Sequence, residues 1–214
     1  MQLWDIHSDK AGGDMNNSKV FWGVTVAVLL LCVLLFLAGV PVTAENQLME
    51  IAQVVVLILA FLIMAQSHVM AFGKSPRTSS ENADLSFALF LSVIPFAGAG
   101  RELNFGRMLG AGPDVVGVVE LVMGAIVLIL IGFSLFLLVA RVKNRLSEAK
   151  RIFTGPICRA MYLATAAFIV ADVFEKQKTG TAGMVFMEEV MEVFAFFMIL
   201  RAAINVRRRV LEWG

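Results

Sequence analysis

The sequence predicts an all-α fold, a polytopic membrane protein built as a bundle of six transmembrane helices with both termini in the cytoplasm. Three observations carry that prediction. The 214 residues are 59% hydrophobic and only 16% charged, with a mean hydropathy of +0.82, whereas a soluble domain holds about 25% charged residues. The apolar residues fall into six stretches of roughly membrane-crossing length, separated by short polar connections. The basic residues gather in alternate connections, as the positive-inside rule requires. The chain reads as a single transmembrane domain over residues 1–214, with spans at 20–40, 46–72, 85–105, 115–140, 160–177 and 183–206.

Residues Met1–Lys19 form a short polar leader carrying Trp4. The first span follows. Its end, Val42-Thr43-Ala44, has the small-residue look of a signal-peptidase site. About 20 apolar residues is long for a signal sequence, however, so an uncleaved helix is expected. Thr43 is a candidate N-cap for the second span, with Glu50 and Gln53 in its first turns. His68, five turns after Glu50 and roughly 27 Å away, shares its face but not its site. It is expected to reach the headgroup layer.

Gly73–Asp84 reads as a polar loop. The third span holds Pro95, expected to kink it, and runs into Arg101-Glu102-Leu103-Asn104. The glycines of Gly106–Asp114 lack dinucleotide or P-loop spacing and read as turn residues. In the fourth span Gly117, Glu120, Gly124 and Gly132 fall along one side, where a neighbouring helix could approach the carboxylate. Arg141–Arg159 is the most basic loop. The fifth span carries the stripe Ala160, Ala164, Ala167 and Ala171, with Asp172 and Glu175 at its end. Cys32 and Cys158 have no metal or redox spacing and read as small buried hydrophobes.

The sixth span poses the functional question. It carries Glu188, Glu189 and Glu192 within one arc of about 100°. An acidic residue near the centre of a membrane helix costs about 2.5–3.5 kcal/mol even on the lenient insertion scale. Placing the N-terminus in the cytoplasm leaves 14 of 18 Lys and Arg inside; Trp4, Trp22 and Trp213 then mark the inner boundary. The acids do the reverse, with 10 of 17 outside. Glu50, Glu120, Asp172, Glu189 and Glu192 each fall roughly 8–13 Å below the outer ends of their helices, and Arg101 and Glu102 form the rim of another. A carboxylate-lined pocket at or just beneath the outer face is therefore expected. Crowded in a low dielectric, its carboxylates cannot all ionise unless they share a cation or Arg101.

Three readings of the pocket follow. The first is a proton or hard-cation site (Na⁺, Ca²⁺, Mg²⁺ or Mn²⁺) serving transport, formed by Glu50, Glu102, Glu120, Asp172, Glu175, Glu188, Glu189 and Glu192 with Arg101 as charge partner. Oxygen ligands without histidine argue against zinc or copper. The second is a non-catalytic membrane subunit or assembly factor, in which the acids satisfy one another or a partner helix. The third, a metal-dependent intramembrane enzyme acting on lipid or envelope precursors, has no HxxxH or ExxH motif to support it. The expected partners are the lipid bilayer and a second copy or another membrane protein. Nothing points to nucleic acid.

The set Glu45-Asn46…Glu50…Gln53, Arg101-Glu102-Leu103-Asn104 and Glu188-Glu189-x-x-Glu192 resembles a pattern in uncharacterised bacterial polytopic membrane proteins. That resemblance carries no named activity. It implies residence in the bacterial inner membrane.

Overall fold

A computed structural model describes residues 5–39, 48–74, 77–103, 110, 112–176 and 182–213, without the side chains of residues 5–17 and 48. Within them the chain is helical throughout: α1 (Asp5–Leu37), α2 (Leu48–Phe72), α3 (Ser79–Glu102), α4 (Pro113–Arg141), α5 (Arg145–Phe153), α6 (Pro156–Lys176) and α7 (Ala182–Leu211). Trp4, Thr43 with the Val42-Thr43-Ala44 stretch, Glu45, Asn46, Asn104, Arg107 and Lys178 lie outside the described residues.

Five of these helices are long and apolar enough to cross a membrane: Ser18–Leu37 within α1, Met49–Phe72 in α2, and all of α3, α4 and α6. At 30 residues α7 has the length. Its three glutamates, crowded into five positions, set it apart from the other five in composition.

The chain divides into two compact units, Met1–Val42 and Thr43–Gly214. The first is α1, where the Thr25 hydroxyl donates to the Phe21 carbonyl. In the second, α4, α3, α2, α7 and α6 pack as successive neighbours. Antiparallel α2 and α3 meet through Phe61 and Phe96, whose ring centroids lie 5.0 Å apart, and where Leu57 closes on Gly98. A methyl group at Gly98 would stand 3.3 Å from Leu57, so the glycine sets how closely these helices approach. On α6 the stripe Ala160, Ala164, Ala167 and Ala171 is buried, as its spacing predicts, and Phe168 meets Phe196 of α7 edge to face at 5.3 Å.

Helices α2 and α7 run parallel in constant register. Gln53 meets Glu189 near their starts and Lys74 donates to the Val210 carbonyl at their ends, each pair 136 residues apart in sequence. Lys74 also donates to the Trp213 carbonyl, so one ammonium satisfies the carbonyls left open where α7 finishes.

Several expectations change. Helix α3 starts at Ser79, inside the expected polar loop, because Thr78 and Glu81 form a reciprocal capping box. The basic loop contains α5, a nine-residue amphipathic helix too short and polar for the membrane-span pattern. Pro95 is buried inside α3, whose helical assignment continues through it. His68, expected at the headgroup layer, is buried in the helix packing. It is 8% exposed, and neither ring nitrogen has a hydrogen-bond partner among the described residues. Trp213 is likewise buried, packed in a cluster with Ala71, Leu85, Leu89, Leu137 and Val210 instead of lying in an aromatic belt. Trp22 is exposed. Cys32 and Cys158 are buried free thiols.

Candidate functional site: a carboxylate cluster around Gln53

The register of α2 against α7 brings the first turns of both helices to the end of the bundle where α3 and α6 finish. Gln53 is 1% exposed there. Its amide Nε2 donates to Glu189 Oε2 at 2.8 Å and lies 3.4 Å from Glu192 Oε2. One side-chain amide thus serves two carboxylates on adjacent turns of α7. A buried amide needs partners, and the glutamates supply its acceptors.

Further charges lie within electrostatic reach. Glu189 interacts with Glu192, Glu50 and Glu188. Glu192 interacts with Glu102, Arg101, Glu188 and Glu175. Glu102 interacts with Arg101 and Glu50. Four helices, α2, α3, α6 and α7, therefore contribute acids to one layer. Arg101 stands at the rim, its side chain 75% exposed, with Nε 3.7 Å from Glu102 Oε1. That separation is a loose ion pair, so the guanidinium only partly offsets the negative charge.

Two residues expected in the pocket stand elsewhere. Asp172 is exposed and pairs with Lys176 at 2.5 Å, one turn along α6. Glu120 lies at the expected depth on α4 but faces outward, with no hydrogen bond or ion pair among the described residues. Among the described residues, nothing would lie within 4 Å of a methyl group at Gly117, Gly124 or Gly132, so the small-residue side of α4 packs against none of them there. Among the described residues, no three His, Cys, Asp or Glu side chains are grouped so as to hold a metal ion. Of the expected set, Glu50, Glu102, Glu175, Glu188, Glu189 and Glu192 form one electrostatic group with Arg101. Gln53, the residue that ties two of them together, has a sequence signal only as an amide one turn after Glu50 in an apolar helix.

A second polar centre lies at the opposite end of α3 and was not expected. The Asp84 side chain is 9% exposed and accepts from Arg151 at 2.8 and 3.3 Å and from Arg209 Nε at 3.0 Å. Arg151 also donates to Glu148 at 2.7 Å, and the Ser80 hydroxyl donates to Glu148 at 2.6 Å. The Ser80 hydrogen bond, with help from Arg151, holds the Glu148 carboxyl below the usual carboxylate range against the opposing pull of partial burial. This network ties α3, α5 and α7 together, with each carboxylate matched by a guanidinium.

No protein-family model, no curated protein and no solved structure matches this chain.

Proposed function

We propose that this chain is an integral membrane protein of six spans, N-in and C-in in a bacterial inner membrane, whose carboxylate pocket binds a cation in transport, the proton being the ion its geometry favours. The observation that carries this reading is the Gln53 amide shared by Glu189 and Glu192. Two carboxylates on one donor in a low-dielectric layer repel each other, and a proton held between them relieves the repulsion without a further ligand. Hard cations such as Na⁺, Ca²⁺, Mg²⁺ or Mn²⁺ need several converging oxygens, and no three His, Cys, Asp or Glu side chains converge in that way among the described residues. The N-in topology would keep 14 of 18 basic residues on one side, which supports it and, with it, a pocket near the outer face.

Infrared spectroscopy of the purified protein, without divalent ions, tests this. At least one protonated carboxyl band is expected at neutral pH, diminished in Glu189→Gln and Glu192→Gln. The same variants should lose pH-driven proton flux in proteoliposomes. A fully ionised set in the wild type, or flux unchanged in both variants, overturns the reading.

One observation favours the alternative of a subunit or assembly factor. Glu120 and the glycine face of α4 point outward, where a partner helix could approach closely and satisfy the carboxyl. Co-purification of a second membrane protein that is lost in Glu120→Leu would support that role.

A further inference from the structure

Helices α3, α4 and α5 enclose an open-sided hollow of about 240 Å³, at the end of the bundle away from the carboxylate cluster. Its walls are Phe87 and Phe90 of α3, Leu135 and Leu138 of α4, and Ile152 and Phe153 of α5. Phe90, Leu135 and Phe153 are each about half exposed, so they form an apolar rim facing away from the bundle.

The polar groups inside are already satisfied. The Ser86 hydroxyl donates to the Ser134 carbonyl and the Ser134 hydroxyl to the Ser86 carbonyl, both at 2.8 Å. Glu148, at the mouth, is occupied by Ser80 and Arg151. Apart from the guanidinium at its mouth, the hollow therefore offers hydrocarbon to a guest.

A guanidinium stands at its mouth beside the already paired Glu148. Arg145 lines it, donating Nε and Nη2 to the Leu138 and Val139 carbonyls of α4 while Nη1 makes no hydrogen bond among the described residues. Lys143 lies two residues before it and Lys150 follows on the same short helix; neither ammonium is paired among the described residues. An apolar cleft with a guanidinium at its mouth, between two helices long and apolar enough to cross a membrane, is complementary to a molecule with a hydrocarbon tail and an anionic head. At about 30 Å³ for a group the size of a water or a methylene, the volume holds roughly eight such groups, a length of chain and not a whole lipid.

We infer that the hollow between α3, α4 and α5 seats part of one acyl chain of an anionic phospholipid whose headgroup is held by Arg145, with Lys143 and Lys150 adding to the attraction. This site is separate from the carboxylate cluster and does not depend on the transport reading. A lipid seated there would hold α5 against α3 and α4, completing a helix too short to be stable alone.

Photolabelling of the full chain in phosphatidylcholine vesicles tests the site. The probe is a diazirine-bearing acyl chain carried on phosphatidylglycerol or on phosphatidylcholine. Phosphatidylglycerol should label the Phe87–Phe90 and Ile152–Phe153 segments about fivefold or more over phosphatidylcholine, since each nearby basic side chain is worth about fivefold in anionic-lipid affinity. Unlabelled phosphatidylglycerol should suppress that labelling, a readout that needs no variant. Arg145→Gln should lower the headgroup preference about fivefold. Ala149→Phe should abolish labelling of the hollow while leaving labels near Leu128, on the outer side of α4, unchanged. Equal labelling by the two headgroups, no competition by phosphatidylglycerol, or no labelling of these segments while Leu128 is labelled, as a protein seated in the hollow would produce, overturns the inference.

Discussion

Helix α3 carries carboxylates near both ends, and the two ends handle them in opposite ways. Where α3 begins, Asp84 sits between the guanidiniums of Arg151 and Arg209, and Glu148 shares Arg151. Where α3 finishes, Glu102 joins Glu50, Glu188, Glu189 and Glu192 around a neutral amide, with a loosely held Arg101 at the rim. The first end is balanced in charge and clamps three helices. The second gathers carboxylates that repel one another, with the Gln53 amide as their shared donor. Removing a charge should therefore have opposite consequences at the two ends, which separates a stabilising network from a site kept for another purpose.

The sharpest break of that comparison is a pair of substitutions. Asp84→Ala leaves two guanidiniums without their buried acceptor and should lower stability by about 3–5 kcal/mol. Glu189→Gln removes a repelling charge and keeps a hydrogen-bonding side chain beside Gln53, so stability should hold or rise by about 1 kcal/mol. Thermal or denaturant unfolding of the detergent-solubilised protein measures both. Loss of stability in both variants would mean that the cluster is as structural as the Asp84 network.

A smaller effect concerns acid. The Glu148 carboxyl is held below its ordinary range, so its pairing stabilises the fold fully above the pKa of the unfolded carboxyl. That contribution is lost as pH falls through the lower, folded value. Melting temperature followed downward from pH 6 should drop less steeply in Glu148→Gln than in the wild type, with the two curves converging in strong acid. Parallel curves would remove Glu148 from the clamp.

The smallest effect is expected on the outer face of α4. A methyl group at Gly124 would meet nothing within 4 Å among the described residues. Gly124→Leu should change monomer stability in detergent by no more than about 0.5 kcal/mol beyond the gain in helix propensity. A larger loss would reveal a neighbour on that face.

The membrane character and most helix positions were legible in composition and periodicity. The alanine stripe of α6 was equally legible, because a face of small residues at helical spacing has few uses except close packing. Helix α5 was not. Nine residues with three basic side chains look like a loop until neighbouring helices supply a surface for their apolar face. His68 and Trp213 were misplaced for a related reason. Both residue types suit an interface, and only the packing of α2 and α7 showed that these two are enclosed.

By itself the sequence determined depth. A fixed rise per residue sets how far along its helix each carboxylate lies, which is why Glu50, Glu120, Asp172, Glu189 and Glu192 were expected in one layer, with Glu102 at its rim. Only the tertiary structure decided direction. Rotation about a helix axis is set by packing against segments far away in the chain, and that packing turns Glu192 toward Glu102 while leaving Glu120 facing outward. The same long-range register, 136 residues from Gln53 to Glu189, makes a polar residue in one apolar helix the donor for two acids in another.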